Sequence, residues 1–313
     1  MVPSERSIMN DRPSISIIIV SYETRELVRN CLVSIRNEGE GSVEVIVVDN
    51  ASADGTVEMI VAEFPEVQVV QNATNVGFSP ANNQGIALSK APFILLLNSD
   101  TVVQKGSIVQ WMKVHVDSGA TVSGPRLLNT DGSLQRSAWK VPGILGQLLE
   151  LFYLHRVSGI GGYSDEQYTQ DFEPGFVSGA AMLFARELSD RIGGLDPEMF
   201  WMEDVDFCVR ARKEGGAVKY LHLPEIVHIG GQSSKKNLRR VISNQLISRI
   251  KFMRKHGDVL RSALLIVIIL LHVVSRLVVF GMLSIFREEP KAKAYSFTLR
   301  KLFRYLFAGD RSI

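Results

Sequence analysis

Four short apolar runs in the first hundred residues, separated by segments of helical length, constrain the fold of this 313-residue chain more than any other feature. Residues 14–20 (SISIIIV), 43–49 (VEVIVVD), 67–71 and 92–98 are rich in apolar side chains and lack polar alternation. Runs of that kind suit strands covered on both faces. Between them lie 23–36, 54–63 and 80–90, each long enough for a helix. The alternation predicts βαβ units and a parallel sheet, with ligands at the carboxyl ends of the strands. Chemistry is therefore sought in the residues that follow each strand.

From about residue 121 the pattern loosens. Residues 123–135 carry turn signals at Gly124-Pro125 and Asp131-Gly132. Residues 163–174 read as a polar loop, 176–186 (FVSGAAMLFAR) as a strand and 204–214 as a short helix. A chain this long reaches a sizeable core without disulfides or a structural metal. Its two cysteines, Cys31 and Cys208, make neither a disulfide framework nor a zinc-ligand spacing. The first thirteen residues hold no apolar signal-peptide core, so a reduced cytosolic setting is expected.

The formal net charge of +2 is unevenly spread. Residues 1–232 hold 18 Lys and Arg against 29 Asp and Glu, whereas 233–313 hold 17 against 4. Such asymmetry predicts contact with an anionic surface, either nucleic acid or membrane. Residues 235–261 carry nine Lys and Arg and one acid, Asp258. Residues 263–286 are largely apolar and would reach about 36 Å as a helix, against a bilayer core of about 30 Å. Arg276 near the middle of this stretch, and basic residues on both flanks, favour a helix lying in one leaflet over a simple span. Beyond Pro290, Leu299, Leu302, Phe303 and Leu306 share one helical face, as in an in-plane membrane helix. A soluble helical appendage is the plainer alternative. Nucleic acid is disfavoured, because few aromatics interleave with the basic residues.

The strand ends carry acids and amides in place of the common cofactor signatures. There is no G-x-G-x-x-G after the first strand, no G-x-x-x-x-G-K-[ST] and no G-x-S-x-G. VVDNASADGT (47–56) sets Asp49 at a strand end, where a carboxylate can accept hydrogen bonds from a nucleobase or ribose. Helix capping is the alternative, a role Ser52 or Asp54 can also fill. In NVGFSPANNQG (75–85), Gly77 marks a turn or a close ligand approach among clustered amides. LLLNSDT (95–101) places Asn98 and Asp100 on one side of an extended chain, oxygen ligands of the type hard divalent cations prefer. In GGLDPEMFWMEDVDFCVR (193–210), Glu203, Asp204 and Asp206 crowd beside Phe200 and Trp201, which suits a general base with a raised pKa. Acidic residues favouring a helix N-terminus are the alternative there. His228 follows a short apolar run in VHIGG (227–231).

In order and spacing these segments resemble the family 2 inverting glycosyltransferases of GT-A fold, over roughly residues 14–257. Within that family the chain looks most like bacterial rhamnosyltransferase-type enzymes, in which a GPRL…DGSLQ segment like 124–135 is usual. The resemblance implies an α/β, Rossmann-like GT-A fold with a mostly parallel central sheet. The catalytic domain would cover 1–232, with a nucleotide-sugar half at about 14–120 and an acceptor half at about 121–232. Residues 233–313 would form a helical, membrane-associating tail. Asp49 would hold the pyrimidine base, with Asn50, Ser52, Asn75, Gly77, Asn82 and Asn98 in the donor site. Asp100 would be the metal-binding acid of a D-x-D-type triplet, joined by His228, and Asp204, paired with Glu203, the catalytic base. Asn98 replaces the first Asp of that triplet, so metal binding is expected to rest on Asp100, His228 and the donor diphosphate.

The reaction so implied is a single displacement assisted by Mg²⁺ or Mn²⁺. A sugar, rhamnose by resemblance, would pass from a dTDP- or UDP-linked donor to a hydroxyl of a lipid-linked or polysaccharide acceptor. The setting would be the cytoplasmic face of a bacterial inner membrane, in cell-surface glycan synthesis. Two other readings compete. A sugar-nucleotide nucleotidyltransferase would want a glycine-rich phosphate loop where this chain has Val20-Ser21-Tyr22-Glu23-Thr24. A non-catalytic, membrane-associated scaffold that binds nucleotide sugars would need neither the NSD triplet nor the acidic pair.

Overall fold

The computed structural model describes residues 14–38, 43–154, 162–230, 238–286 and 289–308. The sequence-predicted runs fold as β1 (Ile15–Ser21), β2 (Val43–Asp49), β3 (Gln68–Gln71) and β4 (Phe93–Asn98), separated by α1 (Arg25–Arg36), α2 (Thr56–Glu63) and α3 (Phe78–Leu88). β1 pairs in parallel with β2 and β4, and β2 with β3. The register sets Ser21 opposite Asp49 and Val20 opposite Asn98, so the polar strand ends lie side by side. Ile17, Ile18, Ile19, Ile46, Leu95 and Leu96 have no exposed surface, as strands covered on both faces require. α1 packs through Val28, Cys31, Leu32 and Ile35, the i, i+3, i+4, i+7 face of an amphipathic helix.

The later elements are β5 (Thr101–Val103), α4 (Ser107–Ser118), β6 (Val122–Leu128), β7 (Leu134–Gln135), β8 (Ala138–Trp139), α5 (Ile144–Leu151), β9 (Phe176–Val177), β10 (Ala181–Ala185), α6 (Arg186–Ile192), α7 (Glu203–Lys213) and β11 (Val218–His228). The main sheet runs β3-β2-β1-β4-β10-β6-β11-β5, with β7 beside β6. It is parallel through the first four strands and mixed beyond. β10 lies antiparallel to β4 and β6, and β11 is parallel to β6 but antiparallel to β5. Antiparallel neighbours need no crossover helix, and the sequence after residue 121 offers few.

Two local expectations are corrected. Gly124-Pro125 is no turn but the middle of β6. A Cβ on Gly124 would stand 2.6 Å from the Cβ of Val177, so the glycine admits a close packing neighbour. Residues 176–186 form two strands, β9 and β10, broken at Ser178–Ala180.

The chain divides into two compact units. The first, Met1–Trp139, Ser164–Pro197 and Phe207–Gly230, contains the main sheet. The second, Lys140–Tyr163, Glu198–Asp206 and Gly231–Ile313, is built on α5 with α8 (Leu238–His256), α9 (Val259–Leu283) and α10 (Pro290–Phe307). It therefore takes in two upstream segments as well as the basic tail. Its core joins Leu246, Ile247, Ile250, Leu265, Ile269, Val273 and Leu302. The inward position of Leu302, with Leu299 packed against that core, corrects the expectation that this face of α10 is free. Phe297, Phe303 and Phe307 are the exposed aromatics of α10.

Arg276 is only 4 % exposed. It donates to the carbonyls of Glu150 (2.5 Å) and Leu151 (2.8 Å) and lies over the Tyr153 ring. The charge in the middle of α9 is thus consumed at the C-terminus of α5, where carbonyls lack helical partners. Leu264, Val267, Leu271, Val274, Val278 and Met282 line the exposed side of α9. By length and composition α9 could cross a membrane. Residues 1–13, Gly231, Lys235, Lys236 and Arg287, all used in the sequence reading, lie outside the described residues.

Candidate active site

At the carboxyl ends of β1 and β2 two loops are locked together by side chains. Asp49 has no exposed surface. Its Oδ1 accepts from the hydroxyls of Ser21 (2.8 Å) and Ser52 (2.6 Å), and its Oδ2 accepts from the Ser52 N–H (2.8 Å). Ser52 Oγ in turn accepts from the backbone N–H of Glu23 (2.9 Å). Glu23 and Ala51 both have left-handed backbone, φ 54° and 63°. That conformation is costly without glycine and persists only where its surroundings impose it. Asp54 organises the next turn, accepting from Thr56 and from the N–H of Arg25.

An amide network continues from there. Asn50, 2 % exposed, donates to the Gly77 carbonyl (3.2 Å) and accepts from Asn72 (3.0 Å), which exchanges two more hydrogen bonds with Gln84. Gly77 has φ +95°, and its N–H donates to Asn75 Oδ1 (3.0 Å). Asn82 is buried and turned back onto the Phe78 carbonyl. Its neighbour Asn83 clasps the backbone of Leu195 through bonds of 2.7 and 2.9 Å.

β11 lies against β5 with His228 opposite Thr101, and the Ile229 N–H donates to the Asp100 carbonyl (2.9 Å). This register joins the NSD triplet to the distant histidine. His228 Nε2 is 3.2 Å from Asp100 Oδ1 and 3.4 Å from Asn98 Nδ2, while its Nδ1 is 2.6 Å from Gln135 Oε1. The Asp100 and His228 side chains are 15 % and 14 % exposed, open enough to meet a ligand. A carboxylate oxygen beside an imidazole nitrogen suits a divalent cation. Among the described residues no group of three or more His, Cys, Asp and Glu forms such a site.

The acidic pair at the start of α7 belongs to the second unit. Trp201 just before it has φ 69°, a third left-handed residue without glycine. Asp204 Oδ1 accepts from the Val205 N–H (2.8 Å) at the helix N-terminus, where negative charge is favoured. Glu203 Oε2 is buried without a hydrogen-bond partner. Burial, and then the charge of Asp204, push the Glu203 carboxyl up to about 8. Burial and like charge thus hold a proton on this acidic pair to higher pH than an isolated carboxyl would keep it. Asp206 has no exposed surface and pairs with His256 Nε2 (2.7 Å) and Lys255 Nζ (2.9 Å), joining the first residues of α7 to the end of α8 within the second unit.

Residues 16–193 match the family model described as glycosyl transferase family 2. The chain belongs to that family. The N-acetylglucosaminyl-diphospho-decaprenol L-rhamnosyltransferase of Mycobacterium tuberculosis is 26 % identical to it over 242 residues, 71 % of this chain and 78 % of that one. Among solved structures, the mannosyltransferase PcManGT from Pyrobaculum calidifontis, in complex with GDP-Man and Mn²⁺, matches with a TM-score of 0.58 at 14 % identity, over 96 % of this chain and 89 % of the other. S. aureus TarS matches with a TM-score of 0.51 at 17 % identity, over 82 % of this chain but 42 % of its own. The fold is GT-A, α/β with a mixed central sheet.

In this family 2 glycosyltransferase, Asn98, Asp100 and His228 converge, as do Glu203 and Asp204. Asp49, Asn50 and Asn82 are hydrogen-bonded to protein groups, Asp49 to Ser21 and Ser52, Asn50 to Gly77 and Asn72, and Asn82 to Phe78 of its own helix. Ser52, Asn75 and Gly77 fix the shape of the same loops. Sequence reasoning did not single out Gln135, Asn72, Gln84 or Asn83. Asn83 and Gln84 lay within the amide cluster of 75–85, and Gln135 lay in the DGSLQ segment, but their partners depend on tertiary packing and strand pairing.

Proposed function

We propose that this glycosyltransferase moves a sugar, rhamnose, from a nucleoside-diphosphate donor to a hydroxyl of a lipid-linked or polysaccharide acceptor, with inversion, in cell-surface glycan synthesis. The approach of His228 Nε2 to Asp100 Oδ1 at the strand ends carries the reading. The donor class is supported by PcManGT, whose complex holds GDP-Man and Mn²⁺. The sugar and a polyprenyl-diphosphate acceptor are supported by the mycobacterial relative, named for both. A dTDP- or UDP-linked donor follows from the family resemblance.

Asp100 and His228, with Asn98 beside them, would hold Mg²⁺ or Mn²⁺, and the imidazole nitrogen favours Mn²⁺. Such a cation, when bound, offsets the charge that develops on the departing diphosphate. Asp49 and Ser52 form the floor of the base site, and Asn50, Asn75 and Asn82 hold the loop in which Gly77 lets backbone approach the donor. Asp204 accepts the proton of the acceptor hydroxyl as its oxygen attacks the anomeric carbon. The bond to the diphosphate oxygen breaks on the opposite face, so the configuration inverts. Protonated Glu203 keeps a second negative charge away from the incoming hydroxyl.

The second unit would hold the enzyme at the cytoplasmic face of a bacterial inner membrane. The exposed aliphatic side of α9 supports this, as do the exposed Phe297, Phe303 and Phe307 interleaved with exposed Lys293, Arg300 and Arg304 on α10. Apolar and basic side chains so mixed bind anionic interfaces. Because Arg276 is used internally, α9 can lie in one leaflet with its apolar side down.

A donor screen with Mn²⁺, scored by released nucleoside diphosphate and by sugar found in the acceptor, tests the reading. Asp204→Asn should bind donor normally and lose more than about 10²-fold in turnover. Near-normal transfer by that variant would refute the base, and full activity in excess chelator with no metal retained would refute the cation. Nucleoside triphosphate and sugar 1-phosphate, formed from the donor when pyrophosphate is supplied in place of acceptor, would point to nucleotidyl transfer instead.

A further inference from the structure

The β6–β7 hairpin carries a chain of amide side chains that ends on His228. Asn129 Nδ2 donates to Ser133 Oγ (2.9 Å) and the Leu134 carbonyl (3.4 Å), which turns its Oδ1 toward Gln135 Nε2 (2.9 Å). Gln135 Nε2 also donates to the His228 carbonyl (3.0 Å). Both hydrogens of that amide nitrogen are committed to acceptors. Gln135 Oε1 is therefore the atom 2.6 Å from His228 Nδ1, and only a protonated Nδ1 can donate to it. In a neutral imidazole the lone pair then sits on Nε2, the nitrogen that faces Asp100 Oδ1. A lone pair and a carboxylate oxygen at 3.2 Å repel each other unless a positive charge lies between them, either a proton on Nε2 or a metal cation.

We infer that Gln135 is a positioning residue, which fixes the Nδ1–H tautomer of His228 and so presents Nε2 and Asp100 together to a divalent cation. The inference rests on the cation reading of Asp100 and His228 given above, and it supplies the group that orients the imidazole. It also accounts for the DGSLQ segment. Asp131 Oδ1 accepts from the N–H and hydroxyl of Ser133, and Gly132 takes φ +81°. The turn thereby sets the register of Leu127 opposite Gln135, beside the strand that ends in His228.

Two substitutions separate positioning from mere support. Gln135→Glu keeps an acceptor for the Nδ1–H but loses both donated bonds, and Gln135→Leu loses everything. Calorimetric titration with Mn²⁺ alone, without nucleotide, reads affinity. Long-range ¹H–¹⁵N spectra of metal-free, histidine-labelled protein read the tautomer, and thermal unfolding confirms that each variant is folded. Gln135→Leu should weaken Mn²⁺ about 10–100-fold and lose the Nδ1–H signature, while Gln135→Glu keeps the signature and most of the affinity. Equal losses in both variants, or unchanged Mn²⁺ affinity in Gln135→Leu, would overturn the inference. Wild-type protein that transfers sugar without binding Mn²⁺ or Mg²⁺ would overturn the cation reading beneath it.

Discussion

Replacing Glu203 with Gln tests whether the acidic pair divides its labour as the geometry suggests. The Glu203 carboxyl, ordinarily near 4.5, is pushed up to about 8, first by burial and then by Asp204. Between those values the folded protein holds a proton that the unfolded chain has released, so stability falls as pH rises through the window. At about 1.4 kcal/mol per unit the full penalty above pH 8 would be about 5 kcal/mol. Glu203 keeps part of its surface exposed, and solvent screening reduces the figure to roughly 1–2 kcal/mol. Gln has nearly the shape of protonated Glu and no charge to lose. Thermal unfolding at pH 5 should therefore give similar midpoints for wild type and Glu203→Gln. At pH 9 the variant should be more stable, by about 2–4 °C for each kcal/mol in a protein of this size. Transfer at pH 7 should survive, in contrast to Asp204→Asn. Parallel pH curves for the two proteins, or a variant as inactive as Asp204→Asn, would refute the assignment.

Asp206→Asn leaves Lys255 and His256 facing a neutral group at a fully enclosed position. It should cost about 3 kcal/mol in denaturant unfolding, and a loss below about 1 kcal/mol would remove its anchoring role. Gly124→Ala should destabilise by about 1–3 kcal/mol, because the added Cβ meets Val177 at 2.6 Å. Adding Val177→Ala should recover most of that loss, and no recovery would show the strain lies elsewhere. Leu271→Glu with Val278→Glu, both on the exposed side of α9, should abolish flotation with anionic vesicles while leaving the unfolding midpoint within about 2 °C; undiminished flotation would refute the membrane face.

The first half of the fold was legible because burial on both faces leaves an unmistakable mark. Residues 15–19 or 94–97 can hardly be anything but covered strand, and the helices between them follow from apolar spacing. Beyond residue 121 the same reasoning failed where packing overrode local preference. Gly124-Pro125 carries a turn signal, yet the pair lies within β6, since the glycine makes room for Val177 and the Pro125 carbonyl accepts from Ser137. Leu302 illustrates the converse. Its helical face was read correctly as apolar, but periodicity alone does not say whether such a face meets lipid or the protein's own core. Here Leu299 and Leu302 meet α8 and α9, while Phe303 stays exposed.

The candidate site divides along the same physical line. Asp100 was recognisable from its place after a strand, and Glu203 with Asp204 from like charges crowded beside aromatics, because those signals are local. Asp49 was equally conspicuous, and its oxygens accept from Ser21 and Ser52, holding Ala51 in a conformation that needs support. An acid at a strand end can serve both the ligand and the loop that meets it, and the share taken by the loop is read only from its hydrogen-bond partners. The joining of His228 to Asp100 depends on β11 pairing with β5, and the amide that orients the histidine depends on β7 pairing with β6. Each pairing is a long-range choice of register. A slip of one residue would turn His228 or Gln135 to the other side of its strand. The residues that could bind a cation are therefore specified locally, whereas the tautomer in which they bind it is specified by the sheet.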